Sequence, residues 1–164
     1  MNLPSRYREV RAALPVDKVA YGCGGIKLFG AAEIEQGQVG YSVARDGKSL
    51  CSRDLGAWRP NWTVIGYETA CGDPLFIDTD DSALPVLTAV HGEGVWEPQP
   101  VAISIDAFAQ LLEEFARISE GRSNPVERDN NPLSDAQRGT FLRRVAELNG
   151  TQLETEFWAV LLEC

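Results

Sequence analysis

An α+β domain, with helices lying on an antiparallel sheet of about five or six strands, is the fold class that the sequence predicts. Three observations predict it. The middle of the chain is a series of short β-branched or aromatic runs, each bounded by Gly, Pro or Asp. The apolar spacing then changes to a helical period at "SIDAFAQLLEEFARISEG", and beyond it two further helical segments each open on a capping-box pattern. With 164 residues, 44% of them apolar, the chain has material for one domain and a small appendage.

Taken in order, "SRYREVRAAL" sets Tyr7, Val10 and Leu14 at helical spacing behind a Ser5 cap, and Pro15 ends the helix. In "YGCGGIKLFG" the glycines Gly22, Gly24 and Gly25 permit a tight turn into a strand from Ile26 to Phe29. "GQVGYSVARDGKSL" carries the hairpin signal, two runs around an Asp46-Gly47 turn. After the loop "GAWRPNW", the runs "TVIGY", "PLFIDT", "LPVLTAV" and "VAISI" read as strands, with Pro74 and Pro85 at strand beginnings where the missing N–H costs least. Ile105, Phe108, Leu111, Leu112, Phe115 and Ile118 then form one helical stripe, started near Ser104 or Asp106 and stopped by Gly121. Residues 122–133, polar and carrying two prolines, read as a linker. The capping boxes pair Ser134 with Gln137 and Thr151 with Glu154, and Gly150 separates the helices they start. The expected organisation is therefore a domain over 1–121, a linker over 122–133 and a helical extension over 134–164. Helices of this length do not bury their faces alone, so the extension is expected to pack on the domain or on a second subunit of a homo-oligomer.

The net charge of −9 is unevenly spread. Residues 1–65 hold 9 Lys and Arg against 6 Asp and Glu, residues 66–121 hold 1 against 11, and residues 122–164 hold 5 against 7. An acidic middle third disfavours direct binding to nucleic acid, whose phosphates need Lys and Arg, and favours a basic partner. No stretch approaches the ~20 apolar residues that span a bilayer, so no membrane partner is expected. The opening residues carry Arg6, Arg8 and Arg11 without an apolar block behind them, which argues against export. Cys23, Cys51, Cys71 and Cys164 lie without C-x-x-C pairs and read as reduced thiols of a cytoplasmic protein.

Chemistry-bearing patterns are few. "GKS" at Gly47–Ser49 has Ser42 where a phosphate loop has its first glycine, and "GCGG" precedes a strand rather than a helix. The single histidine, His91, rules out a cluster of histidine ligands, and no cofactor is expected. Cys71 with His91 is the one nucleophile and base pair that space could bring together, against the commoner reading of both as structural. "DTDD" could offer Asp78, Asp80 and Asp81 to a divalent cation, but Asp residues at a strand end more often hydrogen-bond their own backbone.

"LPVDKVAYGCGGIKLFG", then "WTVIGYETACGDPLFIDTDD", then "VAISIDAFAQLLEEF" resemble, in this order, the elements of the SUKH superfamily, which includes Smi/Knr-type regulators of yeast cell-wall synthesis and bacterial immunity proteins. The resemblance covers about residues 7 to 121. Trp62, Ile65, Gly66, Gly72, Asp73 and the "LFID" strand are similar to its central pattern; the longer "LPVLTAVHGEGVWEPQP" segment and the two-helix tail depart from it. The resemblance implies helices flanking a twisted antiparallel sheet, no shared catalytic residues, and a binding function: an immunity protein that neutralises a cognate toxin, often a nuclease. An acidic face suits capture of a basic toxin. The expected partner-binding residues are Asp73, Asp78, Asp80, Asp81, Glu93 and Glu97, with Trp58 and Trp96 as aromatic anchors in Gly/Pro-rich loops and Trp62 in the core. The rival expectations are a regulatory scaffold of Smi/Knr type, and an enzyme or cation-binding protein using Cys71 with His91 or Asp78–Asp81.

Overall fold

The computed structural model of the chain describes residues 3–150 and 156–163. Six strands form one antiparallel sheet in chain order: β1 (Lys18–Tyr21), β2 (Gly24–Leu28), β3 (Trp62–Glu68), β4 (Pro74–Asp78), β5 (Val86–Thr88) and β6 (Gln99–Ala102). Helices α1 (Ser5–Ala13), α2 (Ile105–Ser119), α4 (Asp135–Asn149) and α5 (Glu156–Leu161) and the short α3 (Pro125–Asn130) complete an α+β fold. Every strand pairs with its sequence neighbour, so the sheet is a meander, with one long excursion between β2 and β3.

Alternation along β4 divides the interior in two. Leu75 and Ile77 point to one face and Phe76 to the other, all fully buried. The first face packs with Ile26, Ile65, Val86 and Val101 against the apolar stripe of α2, to which α4 adds Phe141 and Val145 and α5 adds Trp158. The second face carries Trp58, Trp62, Val64, Phe76 and Ala89, and the long segment between β2 and β3 covers it. Inside this aromatic cluster the Trp58 and Trp62 rings meet edge to face at 5.4 Å, and Trp58 lies 4.8 Å from Phe76.

The covering segment also completes the sheet. β2 pairs with β3 from Ile26↔Glu68 to Leu28↔Gly66, and Phe29 N–H then donates to the Ile65 carbonyl. Further along β3, the buried Gln38 side chain stands in for a strand: its Nε2 donates to the carbonyls of Val64 and Ile34, both at 2.8 Å, and its Oε1 accepts from Val64 N–H at 3.0 Å. At Gly66 the backbones of β2 and β3 come so close that a Cβ would stand 2.2 Å from the Lys27 carbonyl oxygen.

Several expectations change at this level. Ser5 lies inside α1, whose cap position is Pro4, with no side-chain cap bond. The segment expected as a hairpin keeps its turn, with Gly47 at φ +84° and Ala44 N–H bonded to the Lys48 carbonyl, but has only isolated bridges, Val39↔Val43 and Val43↔Ser49, instead of strands. Short runs with no third strand beside them gain too little to extend a ladder. β1 forms although its four residues carry no strong strand signal; the Gly22-Cys23 turn folds it back on β2. The expected linker contains α3, capped by Asn124, and begins at the buried Arg122. The Arg122 guanidinium donates to the carbonyls of Asn131 and Ile118, and its own carbonyl accepts from Gly22 N–H.

At the C-terminal side, Ser134 and Gln137 make the expected capping box, while Thr151 and Glu154 lie outside the described residues. α4 packs on α2, and α5 packs on α4 and β6, where Trp158 Nε1–H donates to the Val101 carbonyl at 3.0 Å. Among the described residues no helix is long and apolar enough to cross a membrane.

Candidate functional site

The aspartates expected to bind a partner separate to the two ends of β4. Asp73 immediately precedes the strand, and Asp78, Asp80 and Asp81 end and follow it. At ~3.3 Å per residue Asp73 and Asp78 stand about 17 Å apart. They do not form a single patch.

At the first end, the turn from β3 to β4 closes on Glu68. Its carboxylate accepts N–H groups from Ala70 at 2.8 Å, Cys71 at 2.7 Å and Asp73 at 3.0 Å, so one buried side chain satisfies three donors of the turn. Asp73 in turn ties down the segment after β5: its Oδ1 accepts from the His91 backbone N–H at 2.9 Å and faces His91 Nδ1 at 2.7 Å. An ionised carboxylate only accepts, so in this contact Nδ1 carries a proton. Burial, and secondarily the Asp73 charge, push the Tyr41 hydroxyl pKa up, which places the two groups within electrostatic reach of each other. Cys71 is exposed and makes no hydrogen bond to His91 among the described residues. No three His, Cys, Asp or Glu side chains group as metal ligands among those residues.

Beside this turn lies a groove of about 400 Å³, its far wall supplied by α5. Thr88, Val90 and Pro100 from β5, β6 and their connection face Phe157, Val160 and Leu161 across it. Val90 and Val160 remain 52% and 55% exposed. The Thr88 hydroxyl is enclosed with no hydrogen-bond partner among the described residues. Among the described residues, the charged side chains on the groove wall are Glu68, Asp73 and Glu156, and no Lys or Arg lines it. Glu93 and Glu97 are exposed on the loop that leaves the groove at Val90 and returns to it at Gln99.

The second end is electrically mixed. Asp78 accepts from Asn61 Nδ2 at 2.6 Å and from Asp80 N–H, and Asp81 accepts from Ala83 N–H, so these aspartates build the turn they stand in. Asp80 shares its cleft with Arg53 and Arg59. The expected acidic rim is therefore offset by two guanidiniums contributed from the loop before β3.

Of the two expected aromatic anchors, Trp58 is 1% exposed and belongs to the core. Its Nε1–H donates to the Trp62 carbonyl, and a ring so enclosed cannot enter a partner. The correction follows from its surroundings: Tyr41, Trp62, Phe76 and Trp96 all stack on it, a convergence that no local pattern of glycines and prolines announces. Trp96 is half-buried against Tyr41 and Trp58, with its backbone N–H bonded to the Gly56 carbonyl. Trp62 lies in the core as expected.

The α5 wall of the groove, Glu68 and the Arg53/Arg59 pair were not singled out by the sequence. A carboxylate three to five residues before a Gly-Asp turn was the available signal for Glu68; the groove had none, because its walls are more than 50 residues apart in the chain. Set against known protein families, curated proteins and solved structures, the chain matches none.

Proposed function

We propose that the chain is a non-enzymatic, cytoplasmic protein-binding domain of SUKH kind, an immunity protein whose groove between the β3–β4 turn and α5 accepts an apolar side chain of a basic toxin. The single observation that carries this reading is the groove's makeup among the described residues: exposed apolar walls, three carboxylates and no Lys or Arg. Apolar anchors in a desolvated pocket supply binding energy, while the acids of one sign around it speed encounter with a cationic partner. The exposed Glu93 and Glu97 extend the same sign beside it. The mixed charge around Asp80 supports placing capture at the groove instead of at the "DTDD" turn.

The test is retention of proteins on the immobilised domain at low and moderate salt, for the wild type, for Val160→Arg and for the pair Asp80→Asn with Asp81→Asn. Val160 and Asp80 are both exposed, so neither change disturbs the core. A basic protein, retained less as salt rises and lost with Val160→Arg alone, is the expected result. Retention that survives Val160→Arg, or a retained set without a basic protein, contradicts it.

A further inference from the structure

We propose that the cleft between the loop before β3 and the turn after β4 binds a small phosphate monoester, with Arg53 and Arg59 holding the phosphate and Asp80 reading a hydroxyl or amine on the organic part. This site lies at the opposite end of β4 from the groove and does not depend on the protein-binding reading.

The cleft measures about 560 Å³ and is lined by Arg53, Arg59, Pro60, Asn61, Thr79 and Asp80. This is room for a sugar phosphate or a mononucleotide. What makes it more than a dent is how its charges are left. Six of the twelve arginines have a carboxylate partner among the described residues: Arg6 with Asp106, Arg11 with Asp17, Arg117 with Glu114, Arg128 with Asp129, Arg138 with Glu163 and Arg144 with Glu147. Arg53 and Arg59 have no carboxylate within ion-pair distance among the described residues, although Asp80 shares their cleft. The neighbouring Asp54 and Asp78 are engaged elsewhere, whereas among the described residues Asp80 is not. Asp54 accepts from the Ser52 hydroxyl at 2.6 Å, and Asp78 accepts from Asn61 and Asp80 N–H.

The scaffold of the cleft is fixed by its own bonds. The Asn61 carbonyl accepts both the backbone N–H and the hydroxyl of Thr79, each at 2.9 Å, which ties the two walls together. The Arg59 guanidinium stands 5.2 Å over the Trp62 ring, a cation–π contact with a residue of the core. Having donated its proton, the Thr79 oxygen retains lone pairs for a ligand donor. Asp80 has no side-chain hydrogen bond among the described residues and accepts only. Two guanidinium forks match the charge and the several terminal oxygens of a phosphate dianion better than a single carboxylate does. Asp80 opposes an anion that brings no donor, so the site favours a phosphate carrying a hydroxylated or aminated organic part.

The experiment titrates the protein with inorganic phosphate and with ribose 5-phosphate, following the backbone amides of 53–61 and 78–81 by NMR. The expected result is that ribose 5-phosphate binds about tenfold or more tightly than inorganic phosphate, consistent with the worth of a hydrogen bond to a charged group. Both are lost in Arg53→Gln with Arg59→Gln. Asp80→Asn provides the sharper reading: it strengthens inorganic phosphate, by removing repulsion, and weakens ribose 5-phosphate, by removing its partner. No shift at millimolar concentration of either probe, equal binding by the double-arginine variant, or a change of the same sign for both probes on Asp80→Asn overturns the proposal.

Discussion

At the scale of residues, three buried polar groups show how this fold distributes its costs. Gln38 satisfies both polar groups of Val64 where β2 has ended. Gln38→Ala leaves a buried N–H and a buried carbonyl without partners, at a predicted cost of about 3 kcal/mol in a urea titration, whereas an ordinary exposed glutamine would cost almost nothing. Glu68 gathers three N–H groups of the β3–β4 turn, so Glu68→Gln, which keeps the shape and removes the charge, is predicted to lose about 2 kcal/mol. Tyr7 is the opposite case. Its hydroxyl is enclosed with no partner among the described residues, and burial pushes its pKa up to about 12, with Arg11 pulling weakly the other way. A tyrosine in the unfolded chain ionises near pH ~10. The stabilisation is therefore complete below that value and is lost as pH rises towards the folded value, about 2–3 kcal/mol in all. Tyr7→Phe keeps the packing and removes the group; denaturation at neutral pH should show equal or greater stability, and the alkaline loss should shrink. An unchanged alkaline slope would mean that another group is responsible.

At the scale of elements, the tail is a wall of the core. α4 and α5 place Phe141, Val145, Trp158 and Leu161 against the α2 side of the sheet, and Trp158 stacks on Phe115 at 5.9 Å and Phe141 at 5.6 Å. Deleting residues 122–164 uncovers that surface, and the truncated protein is predicted to aggregate or to bind a hydrophobic dye, read by light scattering and fluorescence. A monodisperse truncation as stable as the whole chain would contradict this. Legibility in the sequence follows the same division. The α2 stripe and its Ser104 cap, the Ser134 box and the cores of β3 and β4 are local patterns, and they form where expected. The hairpin around Asp46-Gly47 failed because a good turn does not make a ladder without a neighbouring strand. Trp58 failed because burial depends on rings contributed from Tyr41 to Trp96, which no window of residues contains. The groove failed for the same reason, since α5 and the β3–β4 turn meet only in space.

At the scale of the whole molecule, what matters is how charge and exposed apolar surface are divided between the two ends of the sheet. Among the described residues, one end is a groove lined by acids and no Lys or Arg; the other combines acids with two arginines that have no carboxylate partner. The sequence showed the acidity of the middle third but not its partition, because β4 carries consecutive acids to opposite ends. The account predicts that raising salt weakens binding of a basic partner at the groove, while that partner is indifferent to Arg53 and Arg59. The most direct measurement is hydrogen exchange of the protein alone and in complex with the basic protein it retains. Protection confined to residues 68–73, 88–100 and 156–161 is the predicted footprint. Protection centred on 53–61 and 78–81, with the groove unchanged, would contradict the account.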